Sequence, residues 1–261
     1  MSQSTQSGLY VPRTSGMHAL NPLTKLVLAG CLIAVDFLAP NFWLPSLLFI
    51  GVVLPLSFWG KVTGPIARVL MRAAGPIVIL LFIIQSLFYP GGKTVLVSFA
   101  IFSIKQEGVQ FAYLITTRLI TMAGALLLLL CTTHTGTLMA DLSRRKVPPF
   151  LIYIVVSTLQ LIPQVQAKAR TIIDAQRARG LQTEGGVLLR IRALLPLVIP
   201  LVLGSLQETE ERAIALEARG FKARRPKTSL IVVPDSSRQS ISRIGLILVA
   251  LFCIVGAYLW R

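Results

Sequence analysis

Few side chains in this chain stand where they could do chemistry. Neither histidine, His18 nor His134, has a Cys, Asp or Glu at metal-ligand spacing, and no metal site follows from them. Cys31, Cys131 and Cys253 are isolated, each in or at the end of an apolar run. Their odd count and wide spacing argue against a disulfide framework or a zinc site, and they read as small hydrophobes. Gly91-Gly92-Lys93-Thr94 looks like the end of a phosphate loop, but a full loop needs Gly at position 87, where Leu87 stands. Nothing here makes a catalytic set or a cofactor site. What remains is arginine chemistry. Ala178-Arg179-Gly180 closes one charged helical segment and Ala218-Arg219-Gly220 closes another. Each follows a mostly apolar lead-in, with Ile162-Pro163 before the first and Ile199-Pro200 before the second. Gly after the last helical residue allows a left-handed cap, and Arg complements the negative end of the helix dipole. A single copy would be a well-capped helix. Two copies, each with a small Ala beside the Arg, read as paired docking tips. A guanidinium offers a partner's carbonyls or carboxylates a rigid fork of donors.

The elements that position these tips are membrane helices. Of the 261 residues, 54% are hydrophobic and 14% charged, against about 25% charged in an ordinary soluble domain. Apolar runs at residues 23–39, 42–59, 73–89, 109–131 and 244–260 are expected to span a bilayer. Asn21-Pro22 suits a helix start, and Pro45, Gly51 and Pro55 interrupt the second run. Residues 60–72 read as a polar connection with Lys61, Arg68 and Arg72. Pro90-Gly91-Gly92 ends the third run, and 94–104 suits a short extended piece. The hydroxyls of residues 132–137 mark a helix end and restart.

A net charge of +16 raises the possibility of nucleic acid, but no aromatic residues interleave the basic ones as a nucleic-acid platform requires. The basic residues lie instead between spans and in one long region after residue 140, the positive-inside pattern. That pattern puts the N-terminus and residues 132–243 in the cytoplasm and the C-terminus outside. Five spans satisfy it. Counting residues 149–163 and 193–206 as spans would make seven, but would put the Arg- and Lys-rich stretch 165–192 outside. These pieces are therefore expected to be helices that start in or near the membrane plane and descend into the cytoplasm. The expected fold is an all-α integral membrane protein with about five transmembrane helices and a cytoplasmic coupling domain of long crossed helices. Its parts are a flexible N-terminus (1–20), a four-span membrane domain (21–131), the coupling domain (132–243) and a last span (244–261).

Within the coupling region, Val165, Ala169, Ile172, Ile173 and Gln176 share one helical face. In the second helix, Leu206, Ala213 and Leu216 form a narrow apolar stripe, and Glu208 and Arg212 suit an i,i+4 ion pair. Lys222–Lys227 is a basic run suited to lipid headgroups. Inside the spans, Arg118 needs a partner or a polar cavity, and Asp36 is placed to pair with it.

With these features the chain resembles the transmembrane T component of energy-coupling factor transporters, the vitamin and metal uptake branch of ABC transporters. The paired Ala-Arg-Gly triplets carry most of the resemblance. Asn21-Pro22-Leu23-Thr24-Lys25, and Glu107-Gly108 ahead of a span containing Arg118, add to it. The likeness covers nearly the whole chain from about residue 20. It implies a prokaryotic plasma-membrane subunit, not itself an enzyme and without a cofactor. It also implies that Arg179 and Arg219, with their flanking Ala178, Gly180, Ala218 and Gly220, dock in grooves of two ATP-binding-cassette subunits that hydrolyse ATP. The coupling domain would also cradle a separate substrate-binding S component, which topples in the membrane to release its substrate inside.

Two other classes predict different features. A conventional ABC importer permease would have one coupling loop rather than two tips. A secondary transporter or membrane enzyme would have intramembrane acids or a catalytic cluster, and only Asp36 and Arg118 are intramembrane charges here. Uptake that persists without any ATPase partner would favour that last class.

Overall fold

The computed structural model describes residues 10–38, 41–90, 94–99, 102–145, 147–180, 187–221, 223 and 235–259. Gly91, Gly92 and Lys93 of the loop-like motif, and Lys222 with residues 224–227 of the basic run, lie outside them. The regular elements among the described residues are helices and one short antiparallel hairpin, β1 (Val95–Phe99) and β2 (Phe102–Lys105), close to the stretch expected to be extended. The chain divides into two compact units, residues 1–145 with 231–261, and residues 146–230.

The first unit is a bundle. Its long helices are α2 (Pro22–Leu38), a rod built from α3 (Leu44–Leu48) and α4 (Leu54–Trp59), a rod built from α5 (Thr63–Val69) and α6 (Gly75–Phe88), and α7 (Gln106–Thr132). With them are the short α1 (Gly16–Ala19), α8 (Thr135–Arg144) and the final helix α11 (Ser237–Leu259). Helix α7 packs against α2, α3, α5 and α6, and α2 packs against α11.

Each rod is carried past a proline by a π turn. Phe49–Val53 joins α3 to α4, and the Leu54 N–H reaches back to the Phe49 carbonyl just before Pro55. Leu70–Ala74 joins α5 to α6, and the Gly75 N–H reaches the Leu70 carbonyl just before Pro76. Proline has no N–H and its ring collides with the carbonyl one turn back, so a widened turn lets the helix continue. The second π turn changes the expected layout. Residues 60–72 are not a polar connection throughout: helix starts at Thr63 and runs on to Phe88. Arg68 and Arg72 are both exposed within it.

Among the described residues, four helices are long and apolar enough to cross a membrane by length and composition: Thr63–Phe88, Gln106–Thr132, Pro149–Ala178 and Ser237–Ala257. Leu44–Trp59 is a shorter apolar helix.

From Tyr10 onward the N-terminal segment is pinned rather than loose. The Val11 N–H donates to the Cys131 carbonyl at 3.1 Å, and Met17 is buried beside Val62, Ile66, Leu127 and Leu128. Ser15 caps α1 through its side chain. The buried Lys25 ammonium donates to the Thr132 carbonyl at 2.9 Å and to the His18 carbonyl at 3.3 Å, tying α1 and α2 to the end of α7. His134 caps α8 by accepting the Gly136 N–H and stands edge-on to Tyr10.

Gly108 sits where the start of α7 crosses the end of α6. A Cβ there would lie 3.0 Å from Tyr89 Cβ and 3.2 Å from the Gln85 and Ser86 carbonyls, and those backbone atoms cannot swing away. Gly108→Val should therefore destabilise the bundle by about 1–3 kcal/mol, an overpacking cost, read as a lower melting temperature in detergent. An unchanged melting temperature would show that the crossing is not tight. His18 supplies a pH test. Burial holds its pKa below the ordinary imidazole value. Protonation thus favours the unfolded segment, so the wild-type chain should lose stability as pH falls below about 6.5. His18→Gln should flatten that acid-side loss between neutral pH and about pH 5 in the same melting assay.

Candidate functional site

The second unit is built on two long helices, α9 (Pro149–Ala178) and α10 (Val187–Ala218). Both triplets end here, and the backbone treats them alike. Arg179 is the C-cap of α9, and Gly180 follows with φ +89°. The Gly180 N–H closes back on the Arg177 carbonyl at 2.9 Å. On α10, Gly220 has φ +67°, and its N–H reaches the Glu217 carbonyl at 2.9 Å. The Phe221 N–H then reaches the Leu216 carbonyl at 3.0 Å. These two bonds are the Schellman pattern, which satisfies the last carbonyls of a helix and stops it abruptly. Ala178, Arg179, Ala218 and Arg219 are exposed. Neither Arg179 nor Arg219 makes an ion pair among the described residues.

Three contacts fix how the helices pair. Tyr153 on α9 packs against Phe221, their rings 5.3 Å apart. Arg212 Nη2 donates to Gln164 Oε1 at 2.6 Å. Lys168 Nζ donates to Glu208 in a short salt bridge. As numbers rise on α9, their partners on α10 fall, so the helices are antiparallel. The tips therefore lie at opposite ends. Arg219 lies beside the start of α9, and Arg179 comes about 25 residues later along it. At about 1.5 Å per residue, that is on the order of 35 to 40 Å along a straight helix.

The side chains in this seam differ in part from expectation. On α9, Val165, Ala169, Ile172, Ile173 and Gln176 are the partly covered residues, as their spacing predicts. On α10, Leu206 and Ala213 are exposed and only Leu216 of the expected stripe is partly covered. Glu208 and Arg212 turn toward α9 instead of pairing only with each other. Their charges find closer partners across the seam, and the hydrogen bond from Lys168 holds the Glu208 carboxyl below its ordinary pKa. Lys168 and Gln164 were missed as seam residues. Nothing in the sequence separates them from the other polar residues of the same charged segment, Arg170, Asp174 and Arg177.

The apolar lead-ins remain uncovered in the unit. Phe150, Leu151 and Ile162 on α9, and Ile199, Val202 and Leu203 on α10, are each about half exposed or more. So large an apolar surface normally meets lipid or a partner.

Asp36 and Arg118 lie in the first unit, on α2 and α7. Asp36 is 2% exposed and lies within the field of the Arg118 guanidinium. Among the described residues, no group of three His, Cys, Asp or Glu side chains is placed to hold a metal ion.

Fold and site together define a multi-pass, all-α membrane protein with a separate two-helix unit that ends in two exposed arginines. The sequence profile of the family described as Cobalt transport protein (CbiQ) matches residues 13–230. Similar chains bear the name Energy-coupling factor transporter transmembrane protein EcfT. The one from Bacillus subtilis is 33% identical over 247 residues, covering 87% of this chain and 89% of that protein. The one from Listeria innocua is 31% identical over 232 residues, covering 85% and 86%. That from Lactococcus lactis is 26% identical over 264 residues, covering 97% and 98%. The chain belongs to the CbiQ cobalt transport protein family, as a T component of the energy-coupling factor class.

Helix termination at the tips rests on the two glycines. A Cβ at Gly180 would meet nothing within 4 Å, and at Gly220 only Ala223 Cβ at 3.7 Å, so space is not the constraint. The positive φ is. Ala at either position should cost about 1 kcal/mol, and Asn, which tolerates that region, should cost less. Thermal melts of the four single variants check the order. Equal melting of the Ala and Asn forms would remove the backbone explanation.

Proposed function

We propose that this chain is the energy-coupling subunit of an importer driven by ATP hydrolysis in other polypeptides. The observation that carries this reading is the pair of exposed arginine tips, each followed by a glycine of positive φ, at opposite ends of α9 and α10. Two tips held apart suit two copies of one kind of partner better than a single partner with a single groove. We assign that role to two ATP-binding-cassette subunits, each taking one Ala-Arg-Gly tip through the guanidinium and the small flanking residues. Closure and reopening of the ATPase pair would move the tips relative to each other, and the pair of helices would carry that motion toward the membrane.

The uncovered apolar lead-ins supply the other half of the reading. They would cradle a separate, membrane-embedded substrate-binding component for vitamin or metal-ion uptake, and the family's cobalt description favours the metal side. The charge distribution supports a plasma-membrane location with residues 1–20 and 132–243 in the cytoplasm. Asp36 and Arg118 serve this machine as an intramembrane clamp between α2 and α7, since a buried carboxylate and a nearby guanidinium relieve each other's cost in hydrocarbon.

Arg179→Ala combined with Arg219→Ala should leave the chain inserted in the membrane while the ATPase subunits no longer co-purify with it. A buried interfacial arginine typically contributes about 2 kcal/mol or more, so each tip should weaken docking by roughly thirtyfold and the pair by far more. ATP-dependent uptake at the wild-type rate in the double variant would refute the assignment.

A further inference from the structure

The chain leaves the membrane unit at Arg145 and re-enters it shortly before Asp235. Those two residues are joined directly: Arg145 Nη2 donates to Asp235 Oδ2 at 2.8 Å. The bond is part of a ring of contacts that one turn of α11 completes. Arg243 Nη2, on α11, donates to both Asp235 oxygens at 2.8 and 2.9 Å. One turn earlier on α11, Gln239 Oε1 accepts the Asn21 N–H at 3.2 Å. Asn21 Nδ2 donates to Asp141 Oδ1 at 3.3 Å, and Asn21 Oδ1 accepts the Leu23 N–H at the start of α2. Asp141 then pairs with Arg145 Nε at 3.7 Å, one turn along α8. Asn21, Asp141 and Arg243 are 1%, 2% and 6% exposed.

A ring of this kind could be only a staple for the bundle. Its position says more. Any displacement of residues 146–230 can reach the membrane unit covalently by two routes, one ending at Arg145 and one arriving at Asp235. The ring fastens those routes to each other and to the first turn of α2, and α2 in turn packs on α7 and α11. With the ring closed, a pull on either route moves both, together with α2. With it open, each route flexes alone and the motion is dissipated. The Arg145 and Asp235 side chains are 40% and 25% exposed, so their bond is the partly solvated link, while Arg243 and Asp141, at 8% and 3%, are the buried charges that it helps hold in place.

We propose that the ring of Asn21, Asp141, Arg145, Asp235, Gln239 and Arg243 is the transmission joint between the coupling unit and the membrane helices. It stays closed throughout the transport cycle. The inference rests on the coupling role proposed above, but its test does not involve the arginine tips. These six are positioning residues, since none would touch substrate or nucleotide.

The test uses the whole transporter, co-expressed with its ATPase and substrate-binding partners and reconstituted in vesicles. In Asp235→Asn and Arg145→Met, the partners should still co-purify and ATP should still be hydrolysed. Substrate taken up per ATP hydrolysed should fall by about tenfold or more, the scale of a typical intersite coupling. Arg145→Lys, which keeps the charge, should recover part of that ratio. An unchanged ratio in both removal variants would overturn the proposal. Loss of ATPase association in Arg179→Ala/Arg219→Ala is a separate readout, so the two readings fail separately. If the removal variants do not assemble, Arg145→Cys/Asp235→Cys bridged by a short thiol crosslinker decides the matter. A joint that stays closed keeps its uptake when bridged, and loss of uptake on bridging, with hydrolysis retained, would overturn the proposal.

Discussion

Antiparallel pairing of α9 and α10 is the constraint on which the functional arrangement depends. It is made by a polar seam, Lys168 with Glu208 and Gln164 with Arg212, closed at one end by Tyr153 on Phe221. Such a seam specifies register, because Lys168 meets Glu208 and Gln164 meets Arg212 at fixed heights. It adds little to stability, because its ion pair is partly solvated and water competes for it. That combination fixes where the two tips lie without locking the helices rigidly together. An apolar seam of the same length would have been firmer and less selective about register.

The two tips are built from very few residues. A left-handed glycine ends each helix within one residue, so the arginine before it stands on the last ordered turn rather than on a wandering loop. Its guanidinium is exposed, always charged, and carried on a rigid rod. The same caps would be unremarkable in a soluble protein. Here two of them stand at opposite ends of one antiparallel pair.

The membrane unit solves a different problem, that of keeping helices continuous and closely packed where water cannot satisfy a backbone group. Two π turns carry the rods past Pro55 and Pro76. Gly108 and Gly124 admit neighbouring side chains and backbone that any Cβ would crowd. Lys25 donates to the carbonyls left over at the end of α7 and beside α1. Polar groups are concentrated where chain segments meet, and that is also where the ring around Asn21 and Asp235 closes the base of the unit.

Much of this was legible in the residues alone. Hydropathy placed apolar runs where three long apolar helices lie, Thr63–Phe88, Gln106–Thr132 and Ser237–Ala257, since length and apolar composition are properties of contiguous residues. Glycine and arginine at the helix ends declared the caps, since capping is settled within a few residues. The covered face of α9 followed from helical period. Other features were decided only by the tertiary structure. Helix continuity from Thr63 through Arg68 and Arg72 depends on a π turn before Pro76, where local polarity had suggested a connection. Glu208 and Arg212 looked inward because Lys168 and Gln164 lay across the seam, and no local rule could rank those partners above each other. Asn21, Asp141 and Asp235 lie far apart in the chain, and each alone was an ordinary cap or surface charge. Their ring exists because the path of the backbone returns α8 and α11 to the first turn of α2. Pairing between distant polar residues depends on that path, and hydropathy and helical period do not encode it.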